Sequence, residues 1–167
     1  MTATKTVGRR GRGASPAEIE AVYRHRFDQL LRVCRAIVGS EEAAYDAVQD
    51  GVARALRCRA KFAGRGSLEG WIWRAVVNAA RDARRAQSQD PVLGAAETAA
   101  PEGDSMGGRE LIAGLPERQR MVLFLRYFAD MTYDAIAETL EISPGTVGAT
   151  LNAAHATLRG RLEEARQ

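Results

Sequence analysis

LPERQRMVLFLRYFADMTYDAIAETLEISPGTV, Leu115 to Val147, reads as two helices and the start of a third. Pro116 suits the first turn of a helix that runs to about Phe128, since its ring presets φ and its missing N–H would lack a partner there anyway. Thr132 starts the next helix, which buries Ile136, Ala137 and Leu140. A short turn at Glu141 and Ile142 follows, and the chain restarts with Ser143 as N-cap and Pro144 as first helical residue. Two short helices, a tight turn and a third helix make a helix-turn-helix, whose last helix is shaped for the major groove of duplex DNA.

That third helix, SPGTVGATLNAAHATLRGRL, holds itself against its neighbours through Val147, Leu151, Ala154 and Leu158, spaced 4, 3 and 4 apart. Thr146, Gly148, Ala149, Thr150, Asn152, Ala153 and His155 face away. No Lys or Arg occurs from Ser143 through Thr157, which is unusual for a helix meant to lie against phosphates.

Upstream the composition changes. Residues 87–108 carry four Asp and Glu, no Lys or Arg, and much Ala, Gly, Pro and Ser without a sustained apolar period, so they read as an acidic linker. Residues 1–85 hold 17 Lys and Arg against 9 Asp and Glu, whereas residues 109–167 hold 7 against 8. The net charge of +3 therefore conceals a basic first half, suited to a polyanionic partner because each neutralised phosphate releases condensed counterions.

In that first half EIEAVYRHRFDQLLRVCRAIVG places Ile19, Val22, Phe27, Leu30, Leu31, Cys34, Ile37 and Val38 near helical spacing, with Gly39 as C-cap. Ser40 caps a second helix that buries Ala44, Ala47, Val48, Val52, Ala55 and Leu56 and leaves Asp46, Gln49 and Asp50 as a polar cluster. KFAGRGSL then breaks the helix with two glycines, and Ser67 caps a third helix, SLEGWIWRAVVNAARDARRA. Its apolar side is expected to use Leu68, Trp71, Ile72, Ala75, Val76 and Ala79. Arg74, Asn78, Arg81 and Arg85 stand at offsets 0, 4, 7 and 11 and form one stripe. With Trp73 beside it and Phe62 in the glycine loop, this stripe fits a single-strand site, in which aromatic faces stack bases and cations hold phosphates.

The expected fold is all-α: a basic extension (1–15), a helical domain (16–86), the flexible acidic linker (87–108) and a helix-turn-helix domain (109–167). No apolar run approaches the roughly 20 residues of a spanning helix, so a cytoplasmic protein without membrane insertion is expected. Cys34 and Cys58 form neither a CxxC pair nor a set with His at ligand spacing, and read as reduced thiols. No phosphate loop, nucleophile elbow or paired His at metal spacing is present, so no enzyme, catalytic residue, metal or cofactor is expected.

The two halves carry a resemblance. LPERQRMVLFLRYFADMTYDAIAETLEISPGTV resembles the fourth conserved region of bacterial sigma factors of the sigma-70 superfamily, and AAYDAVQDGVARAL with WIWRAVVNAARDARR resembles the second. Their order, the short acidic linker and the lack of a middle domain are similar to the extracytoplasmic-function group. The resemblance implies a promoter-specificity subunit whose partners are core RNA polymerase and promoter DNA, with an anti-sigma factor or an activator as further partners. It assigns Asp46, Gln49 and Asp50 to the clamp helices of the largest subunit, and Leu115, Arg118 and Gln119 to the flap of the second. It makes Phe62, Arg65, Ser67, Trp73, Arg74, Asn78, Arg81 and Arg85 contacts to the melted minus-ten strand. Thr146, Thr150, Asn152 and His155 would meet the minus-thirty-five duplex.

The chain departs from that pattern in its last helix. Relatives read something like GTVKSRLxRAR, so Gly148, Thr150, Ala153 and His155 stand where Lys, Arg, Arg and Arg are usual. Four lost phosphate contacts remove about 3.6 units of salt slope, or about two decades of affinity change between 50 and 200 mM salt. Ala135 likewise replaces the Glu of a capping box after Thr132. Three readings stay open: a weak or unusual minus-thirty-five contact, a lobe that needs a partner beside it, or little duplex contact. Two other functions also stand beside initiation: a degenerate sigma that binds polymerase as co-sigma or decoy, and a polymerase-independent helix-turn-helix regulator.

Overall fold

A computed structural model describes residues 13–64, 66–89, 111–112 and 114–165. They form α1 (Pro16–Val38), α2 (Glu41–Cys58), a 3-10 turn (Arg59–Lys61), α3 (Leu68–Gln89), α4 (Glu117–Tyr127), α5 (Tyr133–Leu140) and α6 (Pro144–Glu164). No strand occurs among the described residues, as an all-α chain requires.

Local chemistry sets the helix ends. Ser15 and Glu18 form a reciprocal capping box that starts α1, in which the Glu18 N–H donates to Ser15 Oγ at 3.2 Å and the Ser15 N–H to Glu18 Oε2 at 2.8 Å. Gly39 closes α1 with φ 91°, a conformation free of Cβ conflict only for glycine, and hands the chain to Ser40, which caps α2. Ser143 caps α6 ahead of Pro144, and Thr132 caps α5 by accepting the Ala135 N–H at 3.2 Å. With Ala at 135 the Thr132 cap is one-sided, as its sequence implies.

Helices α1, α2 and α3 pack on one another around Ile19, Leu30, Val33, Cys34, Val48, Ile72 and Val76, all fully buried. Gly51 lies where α2 crosses α3, and a Cβ there would run into the Val76 backbone. Ion pairs from Arg26 to Glu69 at 2.7 Å and from Arg54 to Asp82 at 2.9 Å cross the surface of this lobe. Helices α4, α5 and α6 build the second lobe on Val122, Leu125, Ile136, Val147, Leu151 and Ala154. Arg161 ties the end of α6 to the start of the lobe by donating to the Leu111 and Gly114 carbonyls at 2.9 and 2.8 Å.

Two expectations change. Helix α3 continues to Gln89, three residues into the stretch read as linker; the rest of that stretch and residues 1–12 of the basic extension lie outside the described residues. The buried face of α3 is also turned relative to the sequence reading. Trp73, expected beside the arginine stripe, is 1% exposed, while Trp71, expected inside, is only partly buried. Both α1 and α2 pack on α3, so its buried arc is wide and takes in Ile72, Trp73, Val76, Val77, Ala79 and Ala80. Burying 150 to 250 Å² of indole favours the core by roughly 4 to 6 kcal/mol. Stacking on one base returns only about 1 to 3 kcal/mol, so Trp73 stays inside.

Candidate nucleic-acid interface

The loop before α3 turns on two glycines with positive φ, Gly64 at 68° and Gly66 at 76°, which end the preceding helical run. Ser67 then caps α3 by accepting the Gly70 N–H at 2.9 Å. Phe62 and Trp71 meet across this loop with ring centroids 5.6 Å apart and planes tilted by 51°. Both are partly exposed, so Trp71 supplies the aromatic surface that the sequence had assigned to Trp73. A signal was present in WIW: the two indoles stand about 200° apart on a helix, so one must face inward when the other faces out. Arg65 lies outside the described residues.

Arg74, Asn78, Arg81 and Arg85 form one outward face of α3, with Asn78 and Arg85 exposed and Arg74 and Arg81 partly covered. The cover comes from the second lobe. Arg74 Nη1 meets Glu141 Oε1 at 2.5 Å, and Arg81 Nε meets Glu117 Oε1 at 2.7 Å. At the start of α3 the Ser67 N–H and Oγ both donate to the Glu138 carboxylate, the hydroxyl at 2.9 Å. The Arg81 hydrogen bond lowers the pKa of Glu117, with Arg81, Arg85 and Arg120 adding attraction against partial desolvation. Beside this seam lies a cavity of 390 Å³, lined by Arg81, Arg84, Arg85 and Arg120 together with Glu117 and Phe124. Desolvation, and then repulsion from Arg84, lower the pKa of Arg120. Burial pushes the Cys34 thiol up to about 12, which leaves it a core side chain rather than a nucleophile or ligand.

In the first lobe Asp46, Gln49 and Asp50 are also exposed, along α2, next to Tyr45, which is exposed as well. Arg54 holds Asp50 at 2.6 Å, whereas Asp46 and Gln49 make no side-chain bond among the described residues. The cluster is thus a surface with hydrogen-bonding capacity to spare.

In the second lobe the three residues assigned to one surface separate. Arg118 is exposed and Gln119 partly buried, but Leu115 is 3% exposed and belongs to the core. An apolar side chain just before α4 fills the space under that helix, so Leu115 cannot present itself to a partner. On α6 the outward face is nearly spent on the helix itself. Thr146 Oγ1 lies 2.8 Å from Ser143 Oγ, Thr150 Oγ1 donates to the Thr146 carbonyl at 2.7 Å, and His155 Nε2 lies 3.0 Å from the Tyr127 hydroxyl. Asn152 is exposed and makes no side-chain bond among the described residues.

Two family models match: "Sigma-70 region 2" over residues 22–89 and "Sigma-70, region 4" over residues 109–158. The RNA polymerase sigma-E factor of Streptomyces avermitilis is 28% identical over 153 residues, spanning 87% of this chain and 86% of that protein. The ECF RNA polymerase sigma factor SigW of Bacillus subtilis is 26% identical over 170 residues, with 89% of each chain covered. Among solved structures, CnrH in complex with the cytosolic domain of CnrY superposes with a TM-score of 0.69 at 19% identity, over 90% of this chain and 91% of that one. The sigma factor RpoE bound to the anti-sigma factor NepR from Bartonella quintana superposes with a TM-score of 0.63 at 18% identity, over 86% and 98%. At these identities the superpositions speak for the fold.

Proposed function

The chain belongs to the sigma-70 family of RNA polymerase sigma factors, in its extracytoplasmic-function group, and we propose that it binds core RNA polymerase and starts transcription at specific promoters. The observation that carries this is the outward face of α3: three arginines and Asn78 in one stripe, directly after a glycine loop with a paired Phe62 and Trp71. Such a face suits a melted minus-ten strand, with cations on its phosphates and rings against its bases. Phe62, Ser67, Trp71, Arg74, Asn78, Arg81 and Arg85 are its contacts, joined by Arg65 from the loop. The exposed Asp46, Gln49 and Asp50, with Tyr45, dock the clamp helices of the polymerase, and Arg118 and Gln119 meet the flap. The protein acts in the cytoplasm, where polymerase and promoters are, and by binding rather than by chemistry of its own. Residues 16–89 and 109–167 serve as its two working domains, with 90–108 joining them.

The second lobe gives a weak or unusual minus-thirty-five contact. Thr146 and Thr150 already bond within or beside α6, His155 faces Tyr127, and Asn152 alone among the four candidates has its full capacity to pair with a base edge. An anti-sigma protein is a further partner, as for the RpoE relative. In vitro transcription with purified core polymerase over a genomic fragment library tests the reading. Discrete start sites that depend on this chain are expected; tight core binding without them would leave a decoy or co-sigma instead.

A further inference from the structure

Four arginines meet at one cavity. Arg81, Arg84 and Arg85 reach it from the C-terminal half of α3 and Arg120 from α4, around a space of 390 Å³. Among them stands one carboxylate, Glu117, which leaves an excess of three positive charges. Part of the wall is apolar, made by Ile37, Met121 and Phe124. We propose that this cavity binds a nucleoside diphosphate, with the diphosphate on the arginines and the nucleoside against the apolar wall. The proposal goes beyond the reading of α3 as a strand site, since Arg84 and Arg120 belong to no contact assigned to DNA.

The charges argue for the phosphate part. Arg81 meets Glu117 at 2.7 Å, so the single carboxylate is already engaged. Arg84 donates to the Ile37 carbonyl at 3.3 Å, and neither it nor Arg85 enters an ion pair among the described residues. Repulsion from Arg84 adds to the desolvation that lowers the Arg120 pKa, so the two guanidinium groups share a partly dry space. Like charges held this close are costly, and an anion between them replaces repulsion with attraction. Guanidinium forks match phosphate oxygens in pairs. A diphosphate carries about as much negative charge as the excess here, whereas a single phosphate leaves part of it uncompensated.

Size and the apolar wall argue for the nucleoside. The volume lies in the lower part of the roughly 300 to 1,000 Å³ of small-molecule sites, which suits a mononucleotide rather than a strand. An inorganic anion would fill only the charged part and leave Ile37, Met121 and Phe124 against water. A base covers them and buries its own faces as well. The wall is set by core packing before any ligand arrives: all three side chains are buried, and Phe124 stacks on Phe128 with ring centroids 5.3 Å apart.

Calorimetry of the full chain tests this with ADP, pyrophosphate and adenosine in magnesium-free buffer. ADP should bind one to one and about tenfold more tightly than pyrophosphate, and adenosine should bind more weakly than either. R84Q and R120Q should each weaken ADP about tenfold, the loss of one charge-assisted contact. R24Q, which removes an exposed arginine outside the lining, should leave ADP binding unchanged. Circular dichroism checks that each variant folds; if R120Q does not, R84Q decides, because Arg84 gives up a single long bond to a carbonyl. No binding of ADP at millimolar concentration, or equal weakening by R24Q, overturns the proposal. Pyrophosphate binding as tightly as ADP overturns the nucleotide assignment. None of these outcomes bears on strand capture by α3, which is read with core polymerase and promoter DNA.

Discussion

Helices α3 and α6 carry the two surfaces proposed to meet DNA, and they are opposites in charge. The outward face of α3 carries Arg74, Arg81 and Arg85, and the first two are paired with carboxylates of the other lobe. The outward face of α6 carries none from Ser143 through Thr157 and spends its hydroxyls on its own backbone and cap. Affinity for a polyanion scales with the phosphates neutralised, so α3 can hold a strand by charge while α6 can add only direct contacts to bases. On the proposed reading, initiation by this chain depends on melted DNA and on polymerase more than on the duplex upstream.

The contrast can be broken most sharply by reversing charge on α3. R74E/R81E should lower strand capture by about a hundredfold, measured as open-complex formation with core polymerase, because each position loses a phosphate contact and gains a repulsion. The same substitutions put like charges opposite Glu141 and Glu117, so the lobes should also separate. Retained strand capture would remove α3 from the interface. Asn152→Ala on α6 should change initiation by only a few-fold at most promoters.

Packing differs between the lobes as charge does. Ala normally improves a helix over Gly by about 1 kcal/mol, yet Gly51→Ala should destabilise the first lobe by about 1 to 3 kcal/mol, since its Cβ would collide with the Val76 backbone. Urea denaturation measures this, and a stabilised protein would mean that α2 and α3 can move apart without loss.

Restoring cations to α6 sharpens the comparison from the other side. A Cβ at Gly148 would sit 3.5 Å from the Tyr133 ring, an ordinary contact, so G148K/T150K should fold normally. It should steepen the salt slope of duplex binding by about 1.8 units, or about tenfold in affinity between 50 and 200 mM salt. An unchanged slope would show that α6 does not meet DNA. The smallest effect is expected at Gly160, where an added Cβ would meet nothing within 4 Å, so Gly160→Ala should stabilise the second lobe by up to about 1 kcal/mol in thermal unfolding.

Much of this was legible in the chain because the signals are local. Ser40, Ser67, Thr132 and Ser143 each cap the helix that follows them, a matter of one hydroxyl within reach of N–H groups three residues on. The arginine stripe was legible for the same reason, since four residues at helical spacing share a face wherever that helix lies. Trp73 and Leu115 were misread because exposure is not a local property. Which side of α3 is outward depends on where α1 and α2 press, and whether Leu115 is reachable depends on what covers it.

The amino-acid order alone determined the helices, most of their caps, the basic first half and the cation-free start of α6, since all of these follow from neighbours within a turn or two. Only the tertiary structure decided that Trp71 rather than Trp73 faces outward, and that Glu117, Glu138 and Glu141 reach Arg81, Ser67 and Arg74 across 36, 71 and 67 residues of chain. Side chains that far apart carry no shared periodicity, and only the docking of one lobe on the other brings their charges within a few ångströms.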